Sequence, residues 1–216
     1  QGSSTMAGQP NYTNETNVVG RHKFLFPAIT FNNLAVGGTV HTDYIAAEAD
    51  VNALRVPGAL NVYALQWGSK DMPTSFSHAT LLALPLHVNR MRAAGWIIVL
   101  LTQLPRSDAT YNSRRNTYLN PTIRGEITAG RADFCLDWGA DSVIGTDAAG
   151  SDTDIIYDGT HPSTYTHQYG YANHTLAIIN AITKPRYVLS WRGSLLLQEE
   201  GTHLLLENGD YLPLED

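Results

Sequence analysis

Short apolar runs alternate along this chain with longer stretches whose apolar positions recur at helical spacing. FPAITFNNLAV (26–36) reads as a strand ending near Gly37-Gly38, and TDYIAAEADVNALRV (42–56) as a helix N-capped by Thr42 or Asp43. ALNVYALQW (59–67) is a buried strand running into Gly68. The stretch 73–95 predicts one long helix that starts at Pro73 and has a kink point at Pro85. WIIVLLTQL (96–104) is the next strand. Residues 110–132 read as helical pieces interrupted around Pro121, 132–139 holds a short strand, and 169–182 is the last amphipathic helix. Strands alternating with helices predict an α/β domain with a mostly parallel sheet covered on both faces. Ligands of such sheets bind beyond the carboxyl ends of the strands, so candidate chemistry belongs just after strands.

The end of the chain breaks this pattern. SLLLQEEGTHLLLENGDYLPLED repeats a triple leucine and acidic residues, and its Asn208-Gly209 is a hairpin turn signal. It predicts a β-hairpin over 195–214 within a small β appendage, 186–216, following a main domain of 1–185. The appendage is either a packed edge of the main domain or a surface for docking or homo-oligomer assembly.

Composition narrows the partners. Of the net charge of −6, the acidic residues after Gly193 account for all; the rest of the chain balances its 14 Lys and Arg. No basic stripe fits nucleic acid, no Lys/Arg-rich amphipathic helix fits a membrane surface, and no apolar run reaches a membrane span. The single cysteine, Cys135, excludes an internal disulfide and a thiolate metal cluster, and its apolar context reads as a buried thiol.

Two stretches carry candidate chemistry. IIYDGTHPS (155–163) sets Asp158 and His161 in a Gly-containing loop before a helix. A carboxylate beside an imidazole fixes its tautomer and stabilises the imidazolium formed when the ring takes a proton. Such a base needs a nucleophile, and GSSTMAG (2–8) places Ser4 in a tight Gly-bounded turn.

Taken in order, Gly2-x-Ser4-x-x-x-Gly8 and the distant Asp158-x-x-His161-Pro162 resemble the SGNH (GDSL-type) hydrolases. GSSTMAG is similar to that family's GDSxxxG turn, or to GQSNxxG of its sialate-acetylesterase-like branch, and STMA to rhamnogalacturonan acetylesterases. NLAVGGT (33–39) looks like the second block and WGSKD (67–71) like the third, GxND. Gly170 and Tyr171 look like the continuation after DxxHP, so the resemblance covers residues 2 to about 183. It implies a flavodoxin-like three-layer sandwich with a mostly parallel central sheet.

The resemblance further implies a serine ester hydrolase. Ser4 would be the nucleophile, His161 the base and Asp158 its partner, with backbone N–H groups of Ser4 and Gly38 and the side chain of Lys70 at the oxyanion hole. The mechanism needs no metal or cofactor. The best substrate is an O-acetyl group on carbohydrate. The alternatives are lipid esters, short-chain esters or thioesters, or a degenerate carbohydrate-binding or adhesion module. The latter would suit a cell surface or virion, and an extracellular or surface location is favoured over the cytoplasm.

The chain departs from the family pattern at Ser3, in place of the usual Asp or Gln, and at Lys70, in place of the oxyanion-hole asparagine. The fold also calls for a strand before the nucleophile turn. Either the chain extends upstream of Gln1, the favoured reading, or a tail strand such as 186–191 fills that slot. His41, His78, His87, His167, His174 and His203 show no HExxH-like pairing, and His167 and His174 read as surface or structural residues rather than metal ligands. Trp67 reads as core or as a pocket wall, Tyr165, Tyr169 and Tyr171 as cleft or packing residues, and 148–154 as a flexible approach loop.

Overall fold

The computed structural model describes residue 30, residues 32–74 and 77–167, and, in the tail, 190–191, 194–195, 203–205 and 211–213. Contacts divide the chain into Gln1–Ile178 and Ile179–Asp216.

In the first unit, strands β1 (Val62–Leu65), β2 (Ile97–Leu101) and β3 (Phe134–Leu136) form a parallel sheet in the order β1-β2-β3. Val62 pairs with Ile97 and Val99 with Phe134. Helices α1 (His41–Ala46) and α2 (Glu48–Ala53) precede β1, and α3 (Asp71–Thr74) and α4 (His78–Ala93) connect β1 to β2. The link from β2 to β3 is α5 (Ala109–Arg114), a π-helical turn (Arg115–Leu119) and α6 (Asn120–Thr128).

The middle strand explains why its segment is almost wholly apolar. Ile98 and Leu100 face Leu84, Val88 and Met91 of α4 and Ile123 of α6, and Val99 and Leu101 are buried on the opposite face. A strand buried on both faces has no polar alternation to show. This is the α/β architecture with a parallel sheet expected from the sequence.

Local chemistry moves several boundaries. The helix over 42–56 is two helices, and neither Thr42 nor Asp43 is its N-cap. The first helical residue is His41, and Asp43 acts from inside the first turn, its Oδ2 accepting the Val40 N–H at 2.8 Å. Likewise 73–95 is not one helix from Pro73. Ser77 starts α4 afresh by accepting the Ala79 N–H at 3.1 Å, and α4 then continues through Pro85.

Around Pro121 the helical path is not interrupted. Pro121 lies in the first turn of α6, where its missing N–H costs least, and the wider π turn precedes it. Strand β1 begins later than expected because the Asn61 side chain ties up the turn before it, bonding the backbone of Val56 and Ala59. Within 26–36, residues 32–36 form no strand. Asn33 Oδ1 instead accepts the Ala35 N–H at 3.2 Å, a local bond that competes with a ladder. The remainder of that stretch, apart from Thr30, lies outside the described residues.

The predicted loop 148–154 contains a 3₁₀ turn, Asp147–Ser151. Gly150 packs so closely on the Arg106 carbonyl that a Cβ there would meet it at 2.1 Å. The predicted last helix, 169–182, lies outside the described residues.

In the second unit, Ser190–Trp191 pairs antiparallel with Ser194–Leu195, and His203–Leu205 with Tyr211–Pro213. The predicted turn at Asn208-Gly209 lies outside the described residues. Leu195 belongs to the other ladder, so the hairpin does not span 195–214. Ser190 and Trp191 join that two-stranded ladder and not the parallel sheet.

Candidate active site

The segment 155–163 is a turn stabilised by its own polar atoms. Gly159 adopts φ +75°, a left-handed conformation that suits glycine. One oxygen of Asp158, Oδ1, accepts the N–H groups of Thr160 at 2.9 Å and His161 at 2.7 Å. The other, Oδ2, lies 2.7 Å from His161 Nδ1. Tyr157 N–H donates to the His161 carbonyl at 3.0 Å, and Ile156 bridges to Pro162, closing the turn.

A single carboxylate therefore builds the turn and orients the ring. Because the acceptor is a carboxylate, the Nδ1 proton resides between the two groups, and Nε2 is left as the basic nitrogen. Partial desolvation pulls the Asp158 carboxyl upward. The bonds from the His161 ring and from the backbone N–H groups of His161 and Thr160 outweigh it and hold the carboxyl below its ordinary value. The Tyr157 ring stacks on His161 with centroids 6.1 Å apart and planes 26° apart. Its phenol is raised by desolvation, by the Asp158 charge and by a hydrogen bond to Asp158.

Ser107 ties this turn to the carboxyl edge of the parallel sheet, and two further contacts tie the loops of that edge to one another. Ser107, in the loop after β2, donates its N–H at 2.9 Å and its hydroxyl at 3.2 Å to the Gly159 carbonyl. The neighbouring Arg106 reaches the loop after β1, donating from Nη2 to Ser69 Oγ at 2.8 Å, and lies 4.2 Å from the centroid of the Tyr111 ring. In that loop, buried Asp71 accepts the His41 N–H at 3.1 Å and lies 2.8 Å from His41 Nδ1. This contact joins the WGSKD loop to the segment that follows Gly37-Gly38.

Beneath these loops lies a buried polar layer. Gln103 donates from Nε2 to the Trp67 carbonyl at 2.8 Å, and Asn120 receives the Gln103 N–H at 2.8 Å. Arg115, in the π turn, bonds the Gly145 carbonyl and, at 2.7 Å, Asp147. Burial pulls its guanidinium below the ordinary value. Hydrogen-bonded polar groups at this depth fix the loops more narrowly than apolar packing would.

Of the residues singled out from sequence, Asp158 and His161 are joined directly. Gly38 sits in a turn at φ +83° with open space where a Cβ would lie, and Lys70 is exposed at the turn before α3. Ser4, with Gly2, Ser3 and Gly8, lies outside the described residues, as do Tyr169, Gly170, Tyr171, His174 and the side chain of His203. Trp67 is core, its indole N–H donating to the Thr80 carbonyl at 2.8 Å. His87 is a core residue too, held between Glu48 at 2.6 Å and the Tyr63 hydroxyl at 3.0 Å. Cys135 is part-buried, and burial raises its thiol to about 12.

Sequence reading missed Arg106, Ser107 and the His41–Asp71 pair. Their one signal is position: Arg106 and Ser107 follow the apolar run of β2, and Asp71 closes the loop after β1.

No family model and no curated protein matches the chain. Among solved structures it is similar to a psychrotrophic esterase, EstA from Pseudoalteromonas sp., in a crystal structure inhibited by monoethylphosphonate. The TM-score is 0.60 at 14% identity, over 83% of this chain and 94% of that one. The two share a fold: a mixed α/β architecture around a parallel sheet.

Proposed function

We propose that this chain hydrolyses carboxylic esters through Ser4, His161 and Asp158. The observation that carries the reading is the Asp158–His161 pair, with Nδ1 on the carboxylate at 2.7 Å, clamped to the carboxyl edge of a parallel sheet. The fold shared with a solved esterase supports it, as does the GSSTMAG turn that supplies a serine.

In this mechanism His161 Nε2 takes the proton of Ser4 Oγ as that oxygen attacks the ester carbonyl. Asp158 holds the ring and stabilises the imidazolium. The tetrahedral oxyanion is met by the N–H groups of Ser4 and Gly38, with Lys70 as a third donor. Collapse of the intermediate expels the alcohol, which receives the proton from His161. A water deprotonated by His161 then releases the acid from the acyl-serine. The substrate we assign is an O-acetyl group on carbohydrate.

Hydrolysis of p-nitrophenyl acetate against longer-chain p-nitrophenyl esters tests this reading, with Ser4→Ala and His161→Ala as controls. The acetate is expected to be preferred and both variants to be inactive. An inactive wild type would favour a binding module on the same scaffold, a reading to which the exposed Lys70 in the asparagine position lends weight.

A further inference from the structure

A cleft of about 780 Å³ opens beside the Asp158–His161 turn, bordered by Tyr157, Tyr165, Asp152, Asp154 and Thr164. Tyr157 and Tyr165 are large apolar surfaces left 38% and 49% exposed. Tyr157 is shared between cleft and dyad, since its ring stacks on His161. The wall does not depend on a ligand to form. The Ser163 N–H and the Thr166 hydroxyl both bond the Ile155 carbonyl, at 2.8 Å each, and the Ser163 hydroxyl bonds the Asp154 carbonyl.

We propose that this cleft is a saccharide subsite holding the alcohol part of the ester. The inference rests on the ester-hydrolase reading and names where its substrate lies. Exposed tyrosine rings offer flat surfaces to the C–H faces of pyranose rings. The carboxylates of Asp152 and Asp154 accept hydrogen bonds only, and the Thr164 hydroxyl does both, which matches a ligand rich in O–H donors. The volume lies within the range of small-molecule sites, roughly 300–1,000 Å³. It exceeds what a compact cation such as an alkylammonium would fill. A sugar bound here would present its ester at the Tyr157 end, beside the His161 ring.

Calorimetric titration of the full chain with xylohexaose, cellohexaose and chitohexaose, and separately with choline, tests the subsite. The variants are Tyr165→Ala and Asp154→Asn, both outside the proposed triad. At least one hexasaccharide is expected to bind saturably. Tyr165→Ala should weaken it about tenfold, as truncation of a well-packed aromatic contact does, and Asp154→Asn severalfold. Both variants should unfold thermally as the wild type does, so that weaker binding reports the lost contact. Binding by none of the sugars, binding untouched by both substitutions, or binding of choline alone would overturn the proposal. Sugar binding without any ester turnover would instead sink the hydrolase reading and leave the subsite standing.

Discussion

Asp158 combines two functions in one side chain: its Oδ1 holds the backbone of the turn and its Oδ2 holds the His161 ring. Lys70 is, with Ser3, one of two residues where this chain departs from the pattern of the family it resembles. If its ammonium meets the oxyanion, Lys70→Ala should lower kcat on the order of 10²–10³ with little change in KM, because the contact strengthens as charge develops. Lys70→Asn should retain much of the rate. Steady-state kinetics on p-nitrophenyl acetate decide it, and two silent substitutions would leave the backbone donors alone at the hole.

His167 gives a prediction in pH. It is 1% exposed, and burial, aided by nearby His161, pushes its imidazole down to about 4. Below its unfolded value near 6.5 the unfolded chain binds a proton that the folded chain refuses. The stability present above that pH is therefore lost as the pH falls toward 4, by about 3 kcal/mol. Urea unfolding of wild type and His167→Gln at pH 7 and pH 4.5 should show a shallower acid loss in the variant. Equal losses would contradict it.

At the scale of elements, the loops at the carboxyl edge are bound to one another as well as to the strands they follow. Gly159 combines a close approach with a left-handed backbone, since a Cβ there would meet Ser107 Oγ at 2.3 Å and its φ is +75°. Gly159→Ala should destabilise the fold by about 1–2 kcal/mol from the left-handed backbone alone. By displacing the His161 ring it should also lower kcat on the order of 10²-fold. Thermal unfolding and ester kinetics on the same preparation measure both.

Much of this level was legible in sequence. The apolar run of β2 and the spacing of α4 follow from burial on both faces or on one. Asp158 and His161 are close in the chain, so a local turn was enough to predict their pairing. The clamps were not legible, because Arg106–Ser69 and Asp71–His41 join residues distant in sequence whose types are ordinary on any surface. The start of α4 at Ser77 was hidden by Pro73, an equally good helix start.

At the scale of the molecule, contacts separate the tail from the α/β unit, and the described strands of the tail pair only with each other. Deletion of 193–216 should leave hydrolysis of p-nitrophenyl acetate within about twofold, as expected of a separate unit that shares no partners with the site. Size-exclusion chromatography with light scattering reports whether the assembly state changes. Loss of all activity in a truncated chain that still folds would place the tail inside the catalytic unit.

The central claim is that Ser4 is the nucleophile served by His161 and Asp158. The most direct measurement is labelling of the full chain with a reactive phosphonate ester, followed by peptide mass spectrometry. The account predicts one adduct, on Ser4, formed in step with loss of p-nitrophenyl acetate hydrolysis and absent in His161→Ala. An adduct on another residue, or full activity in a chain labelled at Ser4, would contradict it.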